Sequence, residues 1–329
     1  MTVNTEKQPS TEAMAGRGSL PARWGAYVAE RFPPLGHGLL IFSFYSSNQF
    51  LAHALLAPGE PMRYDLSSLI GALAVLGVFL HLRIFDDHKD YGEDCRYFPD
   101  RVLQRGAVTL RDLKLLLALV FGAELLLAAW RGPGALTSVL LVMGFSLLML
   151  KEFFAREWLR RRFLVYASTH MLILPLLAIA IFSFATGGYP WQAPGWYWLY
   201  SCVGFCVAFN WEVSRKIRAP EEEIEGVETY TKRFGTYGAA YLVLVIRVID
   251  TALVTLVGIH LGLSGWFYAW LVILFAVCLI GFFQYRFRTC PATARRMQTY
   301  AGLYIVAFDL ALAIELGRKF GITFSEQLS

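Results

Sequence analysis

An apolar block runs directly into an acidic cluster at residues 66–94, which read LSSLIGALAVLGVFLHLRIFDDHKDYGED. The apolar part is about 20 residues long, enough to cross about 30 Å of hydrocarbon at about 1.5 Å per residue. Similar blocks recur along the 329-residue chain, which is 56% hydrophobic and only 17% charged. Soluble domains contain about 25% charged residues. The composition therefore excludes a cytosolic enzyme, a secreted disulfide scaffold and a disordered regulator.

The apolar blocks predict an all-α, multi-pass transmembrane helical bundle, because helices satisfy their backbone hydrogen bonds internally where water is absent. Residues 1–24 are predicted to be a flexible cytoplasmic tail, and residues 25–329 a single transmembrane domain. Nine spans are expected, at residues 35–57, 66–85, 113–130, 135–150, 163–186, 193–213, 239–260, 265–285 and 298–317.

The positive charges are distributed unevenly between the two sides of the predicted bundle. Of the 30 Lys and Arg, 25 fall in the N-terminal segment and in alternate connections after it. Cytoplasmic connections of membrane proteins carry an excess of Lys and Arg. We therefore expect the N-terminus and the acidic cluster to lie on the cytoplasmic side.

Five carboxylates in the acidic cluster would share one face if the second span continues as a helix. At 100° per residue, Asp86, Asp87, Asp90, Glu93 and Asp94 fall within an arc of about 120°. Like charges at this spacing repel, and they repel more strongly beside hydrocarbon. A divalent cation would neutralise them, and Mg²⁺ typically takes one or two carboxylates and completes its shell with phosphate oxygens and water. The alternative is a solvated helix end whose acids pair with Arg83, Lys89 and Arg96.

A second group of charges follows the sixth predicted span, at residues 210–230, which read NWEVSRKIRAPEEEIEGVETY. Arg215, Lys216 and Arg218 would lie at the membrane face, where a guanidinium can hold a diphosphate through two hydrogen bonds. The alternative is a basic patch that contacts anionic lipid. The glutamates that follow would repel such a lipid surface.

The two charged connections resemble the motifs of the UbiA-type membrane prenyltransferase superfamily, whose members have nine helices. The family's first motif, Asn-Asp-x-x-Asp-x-x-x-Asp, is similar to residues 86–94, with Asp86 in place of the leading Asn. The Arg-Pro and Gly that follow it in the family resemble Arg101-Val102 and Gly106, although the proline is lost.

The family's second motif is degenerate in this chain. An alignment through Gly226 and Thr229 puts Glu222 on its last acid and Arg218 where an aspartate is expected. The family also places a basic residue on the connection after span 4, where this chain has Lys151. The charge swap at Arg218 suggests that Arg218, with Arg215 or Lys216, replaces part of the work of a second metal ion.

The resemblance implies a Mg²⁺-dependent transferase that moves an isoprenyl group from a polyprenyl diphosphate to a small-molecule acceptor, such as an aromatic compound, within the membrane. Asp87, Asp90, Asp94 and Arg218 would then be catalytic. The implied metal ligands are Asp86, Asp87, Asp90, Asp94 and Glu222, and the implied diphosphate ligands are Arg83, Lys151, Arg215, Lys216 and Arg218. Membrane lipid is an expected partner and nucleic acid is not.

Two alternatives remain open on the sequence alone. A terpene cyclase on the same scaffold would trap the carbocation with a double bond of its own substrate, and the altered second motif favours it. A transporter or lipid-binding protein without catalysis is the second alternative. Inside the spans, Arg247, Asp250 and Asp309 lie at similar depths and are interpreted as one buried Arg–Asp cluster.

Overall fold

The structure is a computed structural model that describes residues 18–324. Most of the predicted N-terminal tail, residues 1–17, lies outside the described residues. The predicted boundary at residue 24 falls inside the first helix, so the helical part of the chain begins earlier than expected. The helices are α1 Leu20–Arg31, α2 Pro34–Leu56, α3 Leu66–Lys89, α4 Tyr91–Tyr97, α5 Leu110–Arg131, α6 Pro133–Leu150, α7 Arg156–Arg160, α8 Phe163–Met171, α9 Ile173–Thr186, α10 Gly195–Arg215, α11 Tyr230–Leu261, α12 Gly265–Phe287 and α13 Pro291–Phe320.

Eight stretches in the described part of the chain are long and apolar enough to cross a membrane. Seven of them are the single helices α2, α3, α5, α6, α11, α12 and α13, and the eighth combines α8 and α9. The chain is therefore a multi-pass integral membrane protein, as the sequence predicts. The expected count of nine is not confirmed, because α10 is not among the eight.

The helix α10 corresponds to the sixth predicted span. It is 21 residues long but carries polar side chains on its inner face, and Ser201, Asn210, Glu212 and Ser214 are all buried. It packs between α9, α11 and α13. Its polar residues therefore contact neighbouring helices and not lipid. This explains how a helix of lower hydropathy can lie inside the bundle.

The helix bundle is held together by packing between helices that are near in the sequence and between the first and last long helices. α2 packs against α13, α3 against α5, and α10 against α11. The span at residues 163–186 is interrupted at Leu172, between α8 and α9. Pro175, in the first turn of α9, cannot donate a backbone hydrogen bond and crowds the carbonyl four residues before it, which accounts for the break.

Two short strands depart from the all-α expectation. β1 (Met62–Tyr64) follows α2 and pairs in parallel with β2 (Ile322–Phe324), which follows α13. In the register, Met62 lies opposite Ile322 and Tyr64 opposite Phe324. The pair joins the chain after the first long helix to the chain after the last one.

The buried charges of the spans form smaller groups than the sequence indicates. Arg247 bonds Asp250 at 2.6 Å and Asn210 at 2.8 Å, and His81 contacts Glu124 at 2.8 Å. The predicted pairing of Arg247 and Asp250 is therefore correct. Asp309 does not join them, because its hydrogen-bond partners are Ser47 on α2 and Tyr200 on α10.

Candidate active site

A cavity of about 330 Å³ lies inside the bundle, lined by residues of α2, α3, α6, α8, α9, α10 and α13. Its wall is mostly apolar and rich in aromatic side chains. Five charged residues of the wall sit at the C-terminal ends of α3 and α10, and we call this group the charged mouth: Arg83, Asp86, Lys89, Glu212 and Arg215. A sixth ionisable residue of the wall, Asp309, lies on α13. The cavity thus joins a polar end to an apolar interior.

The helix α3 brings the acidic motif to the charged mouth. Asp65 caps its N-terminus by accepting a hydrogen bond from the backbone of Ser68, and the helix then runs without interruption to Lys89. The backbone N–H of Asp90 still donates to the carbonyl of Asp86, at 2.9 Å. Asp86 and Asp90 therefore lie one turn apart on the same side, with about 5–6 Å between their Cβ atoms.

Asp87 is buried within a cluster of hydrogen-bond donors from α1 and α3. Its carboxylate accepts hydrogen bonds from the Tyr27 hydroxyl at 2.7 Å, the Arg31 guanidinium at 2.7 Å and the Arg83 guanidinium at 2.5 Å. Only 1% of its side chain is exposed. Burial and the neighbouring carboxylate raise the pKa of Tyr27 well above its usual value. Both oxygens of Asp87 are thus engaged, which does not fit its predicted role as a metal ligand.

Asp94 shows the same pattern on α4. Arg101 bonds it at 2.6 Å, and the Arg31 guanidinium lies 4.0 Å away. Arg101 is the arginine that the first-motif resemblance singles out. Because Arg31 contacts both Asp87 and Asp94, the arrangement ties α1, α3 and α4 together. Asp94 is consequently an anchor in this structure rather than an open ligand.

Asp86 and Asp90 remain as the available carboxylates of the motif. Asp86 lines the cavity, its side chain is 52% exposed, and its nearest cation is the Lys89 ammonium at 3.6 Å. Within residues 18–324 no Lys, Arg or His lies within 4 Å of the Asp90 carboxylate. Burial raises the pKa of Asp90 to about 6, and Lys89 opposes this shift.

This donor set fits one Mg²⁺ but not the predicted set of five ligands. One or two carboxylates suffice for Mg²⁺ when phosphate and water complete its octahedral shell, and Asp86 and Asp90 supply two. Among the described residues, no group of three or more His, Cys, Asp or Glu side chains converges on a point. Asp87 and Asp94 are held by arginines, so a site with more protein ligands does not fit.

Three cations of the charged mouth face the cavity: Arg83, Lys89 and Arg215. Lys89 also donates to the Tyr166 hydroxyl at 3.1 Å, and this lysine was not among the predicted ligands. Because it lies between Asp87 and Asp90 in the sequence, the sequence pairs it only with the neighbouring aspartates. Arg215 bonds the buried Glu212, which also pairs with Lys216 at 2.7 Å. Lys216 does not line the cavity.

The remaining predicted residues lie away from the cavity. Arg218 donates to the carbonyls of Arg215 at 2.9 Å and Ile217 at 3.0 Å, and it lines a separate open depression. Glu222 lies in that depression and pairs with Arg295 at 3.1 Å. Lys151 is exposed at the end of α6 and does not line the cavity. The structure therefore does not bring Arg218, Glu222 or Lys151 to the charged mouth.

Comparison with solved structures identifies the fold, whereas no sequence-family profile and no curated protein sequence matches the chain. A UbiA homologue from Aeropyrum pernix superposes with a TM-score of 0.63 at 17% identity, covering 84% of this chain and 98% of that one. A digeranylgeranylglyceryl phosphate synthase gives 0.61 at 16% identity, covering 90% and 99%. A UbiA homologue from Archaeoglobus fulgidus bound to GPP and Mg²⁺ gives 0.55 at 14% identity, covering 88% and 99%.

These similarities define the class of structure. The chain has the fold of the UbiA-type membrane prenyltransferases, as the two charged connections predict. At such low identity the likeness concerns the fold.

Proposed function

We propose that this protein is a Mg²⁺-dependent membrane enzyme that releases the diphosphate of a prenyl diphosphate and transfers the isoprenyl group to an acceptor. The observation that carries the proposal is a mouth with three cations and an available aspartate above an apolar, aromatic cavity. This combination suits a ligand with an anionic head and a hydrocarbon tail. Two solved structures with this fold support the proposal: one holds GPP with Mg²⁺, and the other is a digeranylgeranylglyceryl phosphate synthase.

The cations would bind the diphosphate. Arg83 and Arg215 carry planar guanidinium groups that can each donate two hydrogen bonds to phosphate oxygens, and Lys89 adds a point charge. Asp87 holds Arg83 in place, and Glu212 does the same for Arg215. Groups positioned in advance lose little freedom when they stabilise the charge that develops on the leaving group.

Asp86 and Asp90 would hold one Mg²⁺ beside these cations. Bound there, the ion would neutralise charge on the diphosphate oxygens. Asp87 and Asp94 are positioning residues in this scheme, because each is engaged by arginines. The arginines and the lysine would supply the positive charge that a second ion would otherwise provide.

The apolar part of the cavity would receive the tail. Phe32, Phe44, Phe79 and Phe308 line it, and aromatic faces attract cations through their quadrupole. A dry, aromatic surrounding therefore protects and stabilises an allylic carbocation after the C–O bond breaks. The distribution of Lys and Arg supports a mouth on the cytoplasmic side, with the N-terminus on the same side.

Pyrophosphate release tests the proposal. The protein in lipid nanodiscs is supplied with geranyl, farnesyl or geranylgeranyl diphosphate, with or without an added aromatic acceptor, and with Mg²⁺ or with EDTA. With the acceptor present, we expect Mg²⁺-dependent release from at least one donor and a loss of at least tenfold in Arg215→Ala. Arg296→Ala is the matched control, since this arginine lies outside the cavity and contacts Gln284.

The outcomes separate the classes of protein. Absence of release from every donor contradicts the enzyme, and saturable binding without release then indicates a lipid-binding protein. A terpene cyclase is the second candidate. It gains support from Asp309, a buried carboxyl group that lines the cavity, and release without any added acceptor would favour it.

A further inference from the structure

The inner end of the cavity carries a buried carboxyl group. Asp309, on α13, lines the cavity and is only 4% exposed. Ser47 on α2 lies 2.6 Å from its Oδ1, and the Tyr200 hydroxyl on α10 lies 3.2 Å from the same atom. Both hydroxyls can donate to Oδ1. Within the described residues, Oδ2 has no protein donor and is the oxygen left for a ligand.

Asp309 has no cationic partner, in contrast to the other buried acids of the spans. Asp250 pairs with Arg247 at 2.6 Å and Glu124 contacts His81 at 2.8 Å. No Lys, Arg or His of residues 18–324 lies within 4 Å of the Asp309 carboxylate. Burying an unpaired carboxylate is unfavourable. A ligand in the cavity would therefore stabilise the Asp309 carboxylate, and a positively charged ligand would stabilise it most.

The position of Asp309 relative to the mouth selects the part of a ligand that it can reach. On α10, Arg215 lies at the mouth, while Tyr200 contacts Asp309. These two residues are about 22 Å apart along the helix axis at about 1.5 Å per residue. A prenyl diphosphate whose head is held at the mouth would therefore bring the distal part of its tail towards Asp309. The carbon that leaves the diphosphate lies too far away for direct proton transfer.

We propose that Asp309 is the catalytic base that ends a carbocation reaction in this cavity. The proposal rests on the release of diphosphate proposed above and on the second candidate function, the terpene cyclase, in which a double bond of the substrate takes the place of the acceptor. The C–O bond breaks and its electron pair leaves with the diphosphate. Once C1 is released from the diphosphate, it moves into the cavity and meets a distal double bond of the same chain beside Asp309. This double bond attacks the allylic cation at C1 and forms a C–C bond, which moves the positive charge to a distal carbon. Asp309 Oδ2 then takes a proton from the neighbouring carbon, and the C–H electron pair forms a new double bond.

The surroundings of Asp309 suit both halves of this step. Ser47 and Tyr200 stabilise the ionised carboxylate through Oδ1, which leaves Oδ2 as the basic atom. Phe44 and Phe308 line the same region of the cavity, where their faces attract the migrating charge. The transient cation supplies the missing partner of Asp309. The expected product is a cyclic hydrocarbon that forms without a separate acceptor.

Product analysis of an isosteric variant tests the proposal. The parent protein and Asp309→Asn, both in nanodiscs with Mg²⁺, receive geranyl, farnesyl or geranylgeranyl diphosphate and no acceptor. Pyrophosphate is measured by a coupled assay, and organic products by gas chromatography with mass spectrometry. For the variant we expect pyrophosphate release within about threefold of the parent. The hydrocarbon yield should fall at least tenfold, with alcohols formed by water capture in its place.

A matched control distinguishes the base from a general buried acid. Glu124→Gln replaces another buried carboxyl group in the spans, outside the cavity, and should leave the product ratio unchanged. Hydrocarbon formation by Asp309→Asn at the parent ratio overturns the proposal, as does a parent protein that releases pyrophosphate but forms only alcohols. Absence of release from the parent without an acceptor also overturns the proposal, and absence of release with an acceptor as well overturns the function proposed above.

A second variant covers the case in which Asp309→Asn does not fold. Asp309→Glu keeps the base but moves it by one methylene, so the position of the new double bond should change. An unaltered product from a folded Asp309→Glu protein, with release intact, contradicts a role in proton removal.

Discussion

The anchoring role of Asp87 predicts a large loss of stability for a small substitution. Asp87→Asn keeps the shape of the side chain but removes the charge that pairs with Arg31 and Arg83. Breaking a buried ion pair by removing one partner costs about 3–5 kcal/mol. The side chains of Arg31 and Arg83 are 13% and 29% exposed, so the pairs are only partly buried. The loss in the free energy of unfolding should therefore lie at the lower end of this range, about 3 kcal/mol.

The neighbouring aspartate provides the control. Asp86 is half exposed and 3.6 Å from Lys89, so Asp86→Asn should cost about 0–1 kcal/mol. At roughly 2 °C per kcal/mol for a chain of this size, the two variants should differ in Tm by about 4 °C or more. Thermal unfolding in detergent, followed by tryptophan fluorescence, measures this difference.

A double-mutant cycle identifies the source of the loss. If Arg31 and Asp87 act as one pair, the double variant Arg31→Gln/Asp87→Asn should lose less free energy of unfolding than the two single variants together. The difference should be about 1 kcal/mol or more. Equal Tm values for Asp86→Asn and Asp87→Asn would refute the anchor. Additive single losses would show that Arg31 does not stabilise the carboxylate.

Three further outcomes follow from the same geometry. Asp86→Asn should raise the Mg²⁺ concentration for half-maximal pyrophosphate release about tenfold, whereas Asp94→Asn should shift it less than threefold; equal shifts would contradict a single site on Asp86. Burial raises the pKa of Asp90 to about 6, so its ionised form destabilises the fold and stability is lost as the pH rises from about 4 to 6. In EDTA, Asp90→Asn should therefore melt above the parent at pH 7.5 and together with it at pH 4.5, and a constant difference would be inconsistent with this shift. Gly71→Ala on α3 places a Cβ 2.1 Å from the Tyr45 hydroxyl oxygen on α2, so it should lower the free energy of unfolding by about 1–3 kcal/mol, measured by thermal or denaturant unfolding. An unchanged stability would mean that α2 and α3 can move apart at little cost.

The spans were predictable because apolar length alone defines them. The bounds of α3, α6 and α12 agree with the predicted spans to within a few residues. The helix α10 also agrees in its bounds, but its place in the bundle depends on buried polar contacts, such as the hydrogen bond that the Asn210 amide donates to the carbonyl of Val243 at 2.7 Å. Contacts of this kind join residues far apart in the sequence, so a window of hydropathy does not detect them.

The candidate site was predictable in its position and less so in its roles. The helical arc brought Asp86, Asp87 and Asp90 to one end of α3, as the structure shows. It did not reveal that Tyr27 and Arg31 reach Asp87 from α1, because α1 overlaps a segment whose composition resembles a tail. A local pattern specifies which charges are neighbours on a helix, and tertiary packing decides which of them are neutralised.

Asp309 illustrates the same limit inside the membrane. Depth along the chain placed it near Arg247 and Asp250, but depth does not determine which face of α13 a residue occupies. Its actual partners, Ser47 and Tyr200, are uncharged and unremarkable in the sequence. A hydroxyl on a neighbouring helix leaves no signal in composition or periodicity, so only the assembled bundle shows the contact.

The short strand pair that joins Met62–Tyr64 to Ile322–Phe324 fastens together the chain ends of the first and last long helices. A hydrocarbon chain that slipped between α2 and α13 at that end would have to break the ladder and leave backbone amide and carbonyl groups without partners. The seam between α2 and α13 is thereby closed at the end of the bundle opposite the charged mouth.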